Sequence, residues 1–549
     1  MTEYGLKAAA FPKLDDNQLA ALEQCPLTVL KRYRDGEKLF ETGDRDRKFF
    51  VIKSGEIEII DESAEMPRTI VTLKRGEFTG EVGQLTGSPS LVAAVARGDC
   101  EIYEITQNAL REIIDHHPEL GDIILQAFLA RRRLLRESGN FTALQVIGSR
   151  YSQDTFRVRE FLAKNRVPFK WLDLETDLQV NQILKQFGVS ESETPVVAFG
   201  RKLLLRNPSN RELAELLGLR QPLDQTVYDL VVVGAGPAGL AAAVYGASEG
   251  LCTVVLERTA AGGQAGRSMR IENYLGFPTG ISGGELAERA VVQANKFGAR
   301  LAIPTPVNSL KFDNGYPVLQ LEGGDTVTAK CLLIATGADY RMLSVEGCEK
   351  YEGRGVYYAA TSVEAEMCRG SEVVVVGGGN SAGQAAVFLA KQVRKVYLLI
   401  RGDSLYKDMS AYLARRIEQI PSIEVLLNTE CRRMTGNGHL REVEIINNKT
   451  GEVRTLKTAA LFSFIGAVPR TEWLPSDIEK DPKQFILTGP TLAQSAHWTA
   501  RRQPFLLETS HPGVFAAGDV RSGSAKRVAS AVGEGAMAVL FVHEYLKES

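Results

Sequence analysis

No two of the seven cysteines, Cys25, Cys100, Cys252, Cys331, Cys348, Cys368 and Cys431, stand in C-x-x-C spacing. That absence excludes the short zinc-ligand pattern and the dithiol redox motif, and no metal ligands are expected. An odd, dispersed set of thiols fits a reducing cytosol rather than a disulfide framework. The sequence also lacks an apolar run long enough to span a bilayer. Its opening residues, "MTEYGLKAAAFPKLDD", contain no apolar signal-peptide core, so a soluble cytoplasmic protein is expected. Charge of one sign is missing too: 65 Lys and Arg balance 67 Asp and Glu, leaving a net charge of −2. There is no global drive toward nucleic acid or an anionic membrane, and neither is expected as a partner. With 549 residues, 44% apolar and 24% charged, the chain is of ordinary globular composition but too long for one core. Roughly three or four domains are expected.

What is present is clearest between Asp229 and Glu257. The apolar run Leu230–Val233 predicts a parallel strand buried on both faces. Gly234, Gly236 and Gly239 follow in G-x-G-x-x-G spacing and lead into an apolar helical segment. The first glycine permits a tight turn, the second lets a pyrophosphate approach the backbone, and the third lets helix and strand pack closely. The helix N-terminus offers free N–H groups to phosphates. Glu257 ends the next strand, where a carboxylate meets ribose hydroxyls. A second fingerprint occurs in "EVVVVGGGNSAGQAAVFLAKQVRKVYLLIR", with Gly377, Gly379 and Ala382 at the three glycine positions. Two nucleotide folds in one chain point to electron transfer between two cofactors. Between and after them stand Ala335-Thr336-Gly337 at the end of a buried strand and the turn Gly518-Asp519 before a terminal helix.

The N-terminal part reads differently. From Val29 to Ile105 short alternating strands and glycine turns predict a β-barrel or sandwich. Two helices broken at Pro118 follow, with His116 and His117 on a solvated stretch. The motifs "FFVIKSGEIEI" and "FTGEVGQLTGSPSLVAAVA" resemble a cyclic nucleotide-binding domain. The resemblance puts Glu81 at the ribose-binding glutamate. The family's phosphate-binding arginine falls on Leu91, and an isobutyl group cannot make a bidentate charged contact. Binding of cyclic AMP or GMP is therefore not expected, and nothing in the sequence brings Arg97 to the pocket in place of the missing arginine. Residues 143–220 read strand, helix, strand, two strands around Gly200 and a closing helix capped by a serine. They are similar to a glutaredoxin-like thioredoxin fold, with Thr194-Pro195 at the family's cis-proline. The family's C-x-x-C falls on Ser152-Gln153-Asp154-Thr155, and hydroxyls cannot perform thiol–disulfide exchange. A docking or spacing role is expected instead, and "LRQPLDQTVY" reads as a linker.

Residues 225–549 resemble the thioredoxin reductase-like flavoproteins, with two fingerprints, "GGQ", "ATG" and "GD" in the family's order. The implied fold is α/β multidomain. Two Rossmann-like, three-layer FAD and NAD(P) domains are preceded by a β-roll cyclic nucleotide-binding-like domain (1–139) and a thioredoxin-fold domain (143–220). The FAD domain would comprise 225–340 and 466–549, with the NAD(P)H domain at 341–465. The resemblance implies that Gly234, Gly236, Gly239 and Glu257 hold the ADP moiety of FAD. It places Gln264 and Asn273 beside the flavin and Asp519 on the ribityl chain. Ala335, Thr336, Gly337, Gly518, Arg527 and Val528 complete the expected FAD set. Gly377, Gly379, Asn380, Ser381, Ala382 and Arg401 form the expected nicotinamide-nucleotide set. Arg401, ending the strand "KVYLLI", favours the 2′-phosphate of NADPH over NADH.

One departure is large. The family's redox cysteines lie in a "G-V-x-Y-C-A-T-C" context, whereas this chain reads "GVYYAATS", with Ala359 and Ser362 in their places. Cys368 has no partner in C-x-x-C spacing. The expected function is an FAD-dependent oxidoreductase that takes hydride from NADPH, with NADH as the alternative, and passes electrons to an acceptor outside the chain. No catalytic acid or base is singled out, since hydride transfer to flavin needs mostly positioning. Two other readings are a reductase of a ferredoxin, flavodoxin or thioredoxin-like partner by direct flavin transfer, and a nucleotide-sensing regulator with little turnover. The resemblance implies a homodimer.

Overall fold

The computed structural model describes residues 3–548, apart from 46–47, 63–66, 82, 87–88, 91, 138–143, 178–179, 187, 200–202, 220–222 and 224–226. Leu91, the turn at Gly200 and most of the expected linker therefore lie outside the described residues. The long strands Phe49–Asp61 and Ala93–Ile105 pair antiparallel at the centre of a five-stranded sheet, as their alternating sequence predicts. Helix Gln107–His116 ends one residue before Pro118 opens the 20-residue helix Pro118–Glu137, and His116 and His117 are exposed.

This second helix covers the glycine-rich cassette. A Cβ on Gly80 would lie 2.9 Å from the ring of Phe128. Arg131 donates to Gly80 O at 2.8 Å and Ala10 O at 2.6 Å, between the rings of Phe11 and Phe78. Burial pushes its guanidinium down to about 10. Glu81 is taken up by Arg132 at 3.2 Å, and Arg132 also faces Glu288 at 3.9 Å. Arg97 is committed elsewhere, to Glu58 at 2.7 Å.

The next unit is a four-stranded sheet in the order Lys170–Asp173, Leu144–Gly148, Val196–Phe199, Leu203–Arg206. The first pair is parallel and the other two antiparallel. Helix Gln153–Lys164 starts at Ser152, whose hydroxyl accepts from Thr155 N at 3.3 Å. Ser209 caps the closing helix in a reciprocal box with Glu212. The Thr194–Pro195 bond is cis and packs beside Gly148 and Thr155. A Cβ on Gly148 would meet Thr155 Oγ1 at 2.4 Å and Pro195 Cβ at 3.3 Å.

Two sheets built on parallel strands make up most of the rest, the first extended by the antiparallel strands Tyr316–Leu321 and Val307–Asp313, beside a three-stranded antiparallel sheet of Thr429–Asn437, His439–Asn447 and Val453–Lys457. In the first, Val227–Val233 lies between Thr253–Leu256 and Thr326–Ile334, and Val514–Ala516 returns from the C-terminal end of the chain to pair with Thr326–Ile334. Its parallel strands are Val- and Leu-rich and largely buried: helices Pro237–Ser248, Gly283–Lys296 and Val528–Glu548 cover one face, and the strands Val307–Asp313 and Tyr316–Leu321 with Leu474, Ile478 and Ile486 cover the other. In the second, Val356–Tyr357, Ala460–Ser463, Glu372–Val376, Lys395–Ile400 and Ile423–Leu427 run parallel in that order. The chain enters and leaves this inserted unit through an antiparallel strand pair, Ala338–Tyr340 and Ala467–Pro469. Among the described residues no helix is long and apolar enough to cross a membrane.

The N-terminal units are packed onto this frame. Val292, on helix Gly283–Lys296, belongs to the apolar core of the β-roll. Helix Gln153–Lys164, about 18 Å long at 1.5 Å per residue, touches the inserted unit at its start. There Gln153 donates to Glu352 O at 2.7 Å and the Phe156 and Tyr357 rings lie 5.4 Å apart. Arg159 is 1% exposed, lies 3.4 Å from the Trp171 ring centroid and pairs with Glu366 at 2.7 Å. Beyond the end of the same helix, Asn165 donates to Thr259 O at 3.1 Å, in the first sheet's unit.

Candidate functional site: a cleft shared by two nucleotide folds

The two fingerprints fold as glycine chemistry requires. Gly234 and Gly377 adopt φ of +107° and +142°, which L side chains avoid. A Cβ on Gly239 would sit 1.8 Å from Gly234 O, so only hydrogen fits where helix Pro237–Ser248 meets its strand. Gly236 and Gly379 have open space where a Cβ would point. Each is the N-cap of its helix without a side-chain cap, leaving backbone donors for an anion.

These turns border a cleft of about 810 Å³. Of the expected FAD residues, Gly234, Gly236, Glu257, Gln264 and Asn273 line it. So do Ala335, Thr336, Gly337, Gly518, Asp519, Arg527 and Val528. Gly239 lies outside the lining because its work is packing. From the second fingerprint Asn380 and Ser381 reach the cleft, while Gly377, Gly379 and Ala382 stand behind it. Arg401 follows its strand as expected but is 85% exposed and faces Glu430 at 3.8 Å, away from the cleft.

The polar groups of the cleft are fixed in three ways. Glu257 accepts from Ala235 N and Thr259 N, both at 2.8 Å, which holds its carboxylate against the glycine turn. The amide of Gln264 donates to Ala338 O. Asp519 is half-buried and accepts no hydrogen bond among the described residues; burial pushes its carboxyl up, with Lys526 opposing. A half-buried carboxylate facing a cleft without a donor is suited to a ligand hydroxyl. The glycine cradle at Gly236 and this free acceptor both fit FAD.

Several residues of the cleft were missed by motif reading. Tyr340, on the crossing strand, lines the cleft together with Ser381; burial pushes its hydroxyl up. Arg470 pairs with Asp339 across the same crossing. Glu160, Lys164 and Arg166 enter from the four-stranded unit, and burial pushes the Lys164 ammonium down. No local pattern could have found them, because tertiary packing brings them together. Facing these groups are Ala359, Thr361, Ser362 and the buried Glu364, whose carboxyl burial pushes up while the Thr361 hydroxyl opposes. No sulfur stands at Ala359 or Ser362. Cys368 is 2% exposed, and burial pushes its thiol up to about 12, far from a reactive thiolate.

Comparison with known proteins agrees with this geometry. The family described as pyridine nucleotide-disulphide oxidoreductase matches residues 228–535, and the cyclic nucleotide-binding domain family matches residues 30–117. A thioredoxin reductase of Treponema pallidum is 37% identical over 322 residues, 59% of this chain and 98% of that protein. The 34.2 kDa protein in the rubredoxin operon of Clostridium pasteurianum is 32% identical over 319 residues, 58% of this chain and 97% of that protein. The crystal structure of Lactococcus lactis thioredoxin reductase superposes with a TM-score of 0.53 at 31% identity, covering 59% of this chain and all of that one. The chain belongs to the pyridine nucleotide-disulphide oxidoreductase family, as a thioredoxin reductase-like, FAD-dependent enzyme carrying an N-terminal cyclic nucleotide-binding domain.

Proposed function

We propose that this enzyme takes hydride from NADPH and delivers the electrons to an acceptor outside the chain, with no internal redox disulfide. The observation that carries this reading is the cleft itself. The first fingerprint turn opens on it, Asn380 and Ser381 reach it from the second, and Ala359 and Ser362 line it where the related reductases carry sulfur. Bound FAD supplies the chemistry, accepting a hydride and releasing electrons singly or in pairs. Gly234, Gly236 and the first helix N-terminus would cradle its pyrophosphate, Glu257 its ribose and Asp519 its ribityl hydroxyls. Gln264, Asn273, Arg527 and Val528 would border the ring system and its chain. Gly379, Asn380 and Ser381 would receive the nicotinamide nucleotide.

The four-stranded unit has the strand and helix order of a thioredoxin fold, and it acts as a docked wall. Its Ser152–Thr155 turn touches the inserted unit through Gln153, with Phe156 beside it on the same helix. Exposed Tyr245, Met537 and Leu540, on the packed helices Pro237–Ser248 and Val528–Glu548, supply an apolar face for a homodimer.

Arg401 is assigned the 2′-phosphate. Arg401→Gln should raise the KM for NADPH roughly three- to tenfold and leave that for NADH unchanged. The gain is kept modest because the guanidinium is exposed and solvent screens it. Steady-state kinetics with both nucleotides checks this, and equal effects on the two would remove Arg401 from the site.

A further inference from the structure

We infer that the protein carries a second ligand site, for a phosphate-bearing small molecule, in a basic pocket between the four-stranded unit and the inserted unit. The pocket encloses about 530 Å³, within the roughly 300–1,000 Å³ of small-molecule sites. Arg354, Arg441 and Lys457 line it from the inserted unit, and Arg150 and Tyr151 from the loop preceding helix Gln153–Lys164.

The cations are not balanced. Arg150 is neutralised by Asp173 at 2.6 Å. Arg354, Arg441 and Lys457 form no ion pair among the described residues, and the Nε of Arg354 is buried without a hydrogen-bond partner. Glu442 is the acid of the lining, and it accepts from the Thr435 hydroxyl at 3.5 Å. His439, stacked on the Tyr151 ring at 4.4 Å, registers the positive field: burial, then Arg441, push its imidazole down. Three cations facing one acid in a walled pocket leave a surplus of about two charges, the charge of a phosphate monoester near neutral pH. Guanidinium groups also match phosphate geometry through paired N–H donors.

This pocket is separate from the nucleotide cleft. Gly355, Ser371 and Ala459 in its wall immediately precede strands Val356–Tyr357, Glu372–Val376 and Ala460–Ser463. It therefore lies at the amino ends of parallel strands, whereas dinucleotides bind at the carboxyl ends, where Gly377–Ala382 lie. The span of one such strand, about 16 Å, separates the two. Because both units build the pocket, an occupant would clamp the start of helix Gln153–Lys164. The far end of that helix supplies Glu160 and Lys164 to the flavin cleft.

The test is calorimetric titration of the full-length, FAD-loaded protein with inorganic pyrophosphate, with citrate as a carboxylate arm at matched ionic strength. Wild type, Arg354→Gln and Lys457→Gln are compared. The expected result is saturable binding of pyrophosphate in preference to citrate. Each substitution should weaken it roughly tenfold, the value of one charge-assisted contact. The flavin spectrum and its bleaching by NADPH should not change. Lys457 is exposed, so that variant reports even if Arg354→Gln folds poorly. Absence of saturable heat, equal affinity in wild type and Lys457→Gln, or citrate binding as tightly as pyrophosphate would each overturn the site.

Discussion

Gly239→Val should purify with substantially less bound flavin than the wild type. The position admits no Cβ, since one would lie 1.8 Å from Gly234 O, and the clash is with backbone that cannot rotate away. Relief requires moving helix Pro237–Ser248 off the strand Val227–Val233, and that opens the turn meant to hold the pyrophosphate. Overpacking costs about 1–3 kcal/mol, and a clash with fixed backbone belongs at the upper end, about 3 kcal/mol. Even half of that, applied to the FAD-competent conformation, lowers affinity roughly tenfold. The flavin absorbance per protein after gel filtration, compared with wild type, checks it. Far-ultraviolet circular dichroism should show the remaining fold in place, because the β-roll and the four-stranded unit have their own apolar cores. Gly236→Ala is the informative contrast. Its Cβ meets nothing in the protein, so the fold should be intact and the loss confined to FAD affinity. Full flavin occupancy in Gly239→Val would remove the fingerprint from the cofactor site.

The second large effect concerns sulfur. The wild-type enzyme, supplied with NADPH and a standard thioredoxin, should not reduce insulin above the rate without enzyme. Every cysteine given a thiol shift is pushed upward by burial, Cys368 and Cys431 to about 12, and Ala359 and Ser362 offer no thiol. Disulfide exchange proceeds through thiolate, so these buried thiols are poorly suited to carry electrons from flavin to a disulfide partner. The double substitution Ala359→Cys with Ser362→Cys restores the spacing at the wall of the cleft. Once oxidised to a disulfide, the pair should become alkylatable only after NADPH is added, because reduced flavin passes two electrons to the disulfide and yields two thiols; mass spectrometry of the alkylated protein with and without NADPH reads this. Robust insulin reduction by the wild type would show that the electrons leave by a route this account does not contain.

What the sequence made legible, and what it did not, follows from the range of each interaction. The fingerprint turns, the Ser152 and Ser209 caps and the break at Pro118 are local, and each could be read within a few residues. The cofactor families followed from their order along the chain. The walls of the cleft could not be read in the same way. Lys164 comes from a unit with no nucleotide motif, and Tyr340 enters from the crossing strand between two sheets. Glu81 reads as a ribose ligand in its local motif. In the fold it faces Arg132, which also approaches Glu288 on helix Gly283–Lys296, and no local pattern encodes a link between residues 81, 132 and 288. Arg401 illustrates the opposite limit: its place after the strand was legible, but its exposure and its pairing with Glu430 depend on the neighbouring sheet.

The central claim is a flavin with a nicotinamide donor and no second redox centre in the chain. Anaerobic titration of the purified enzyme with NADPH, followed at the flavin absorbance, tests it most directly. The account predicts complete bleaching at one equivalent of NADPH per flavin, since one hydride carries the two electrons that flavin accepts. No bleaching, or uptake continuing to a second equivalent as a hidden disulfide fills, would contradict it.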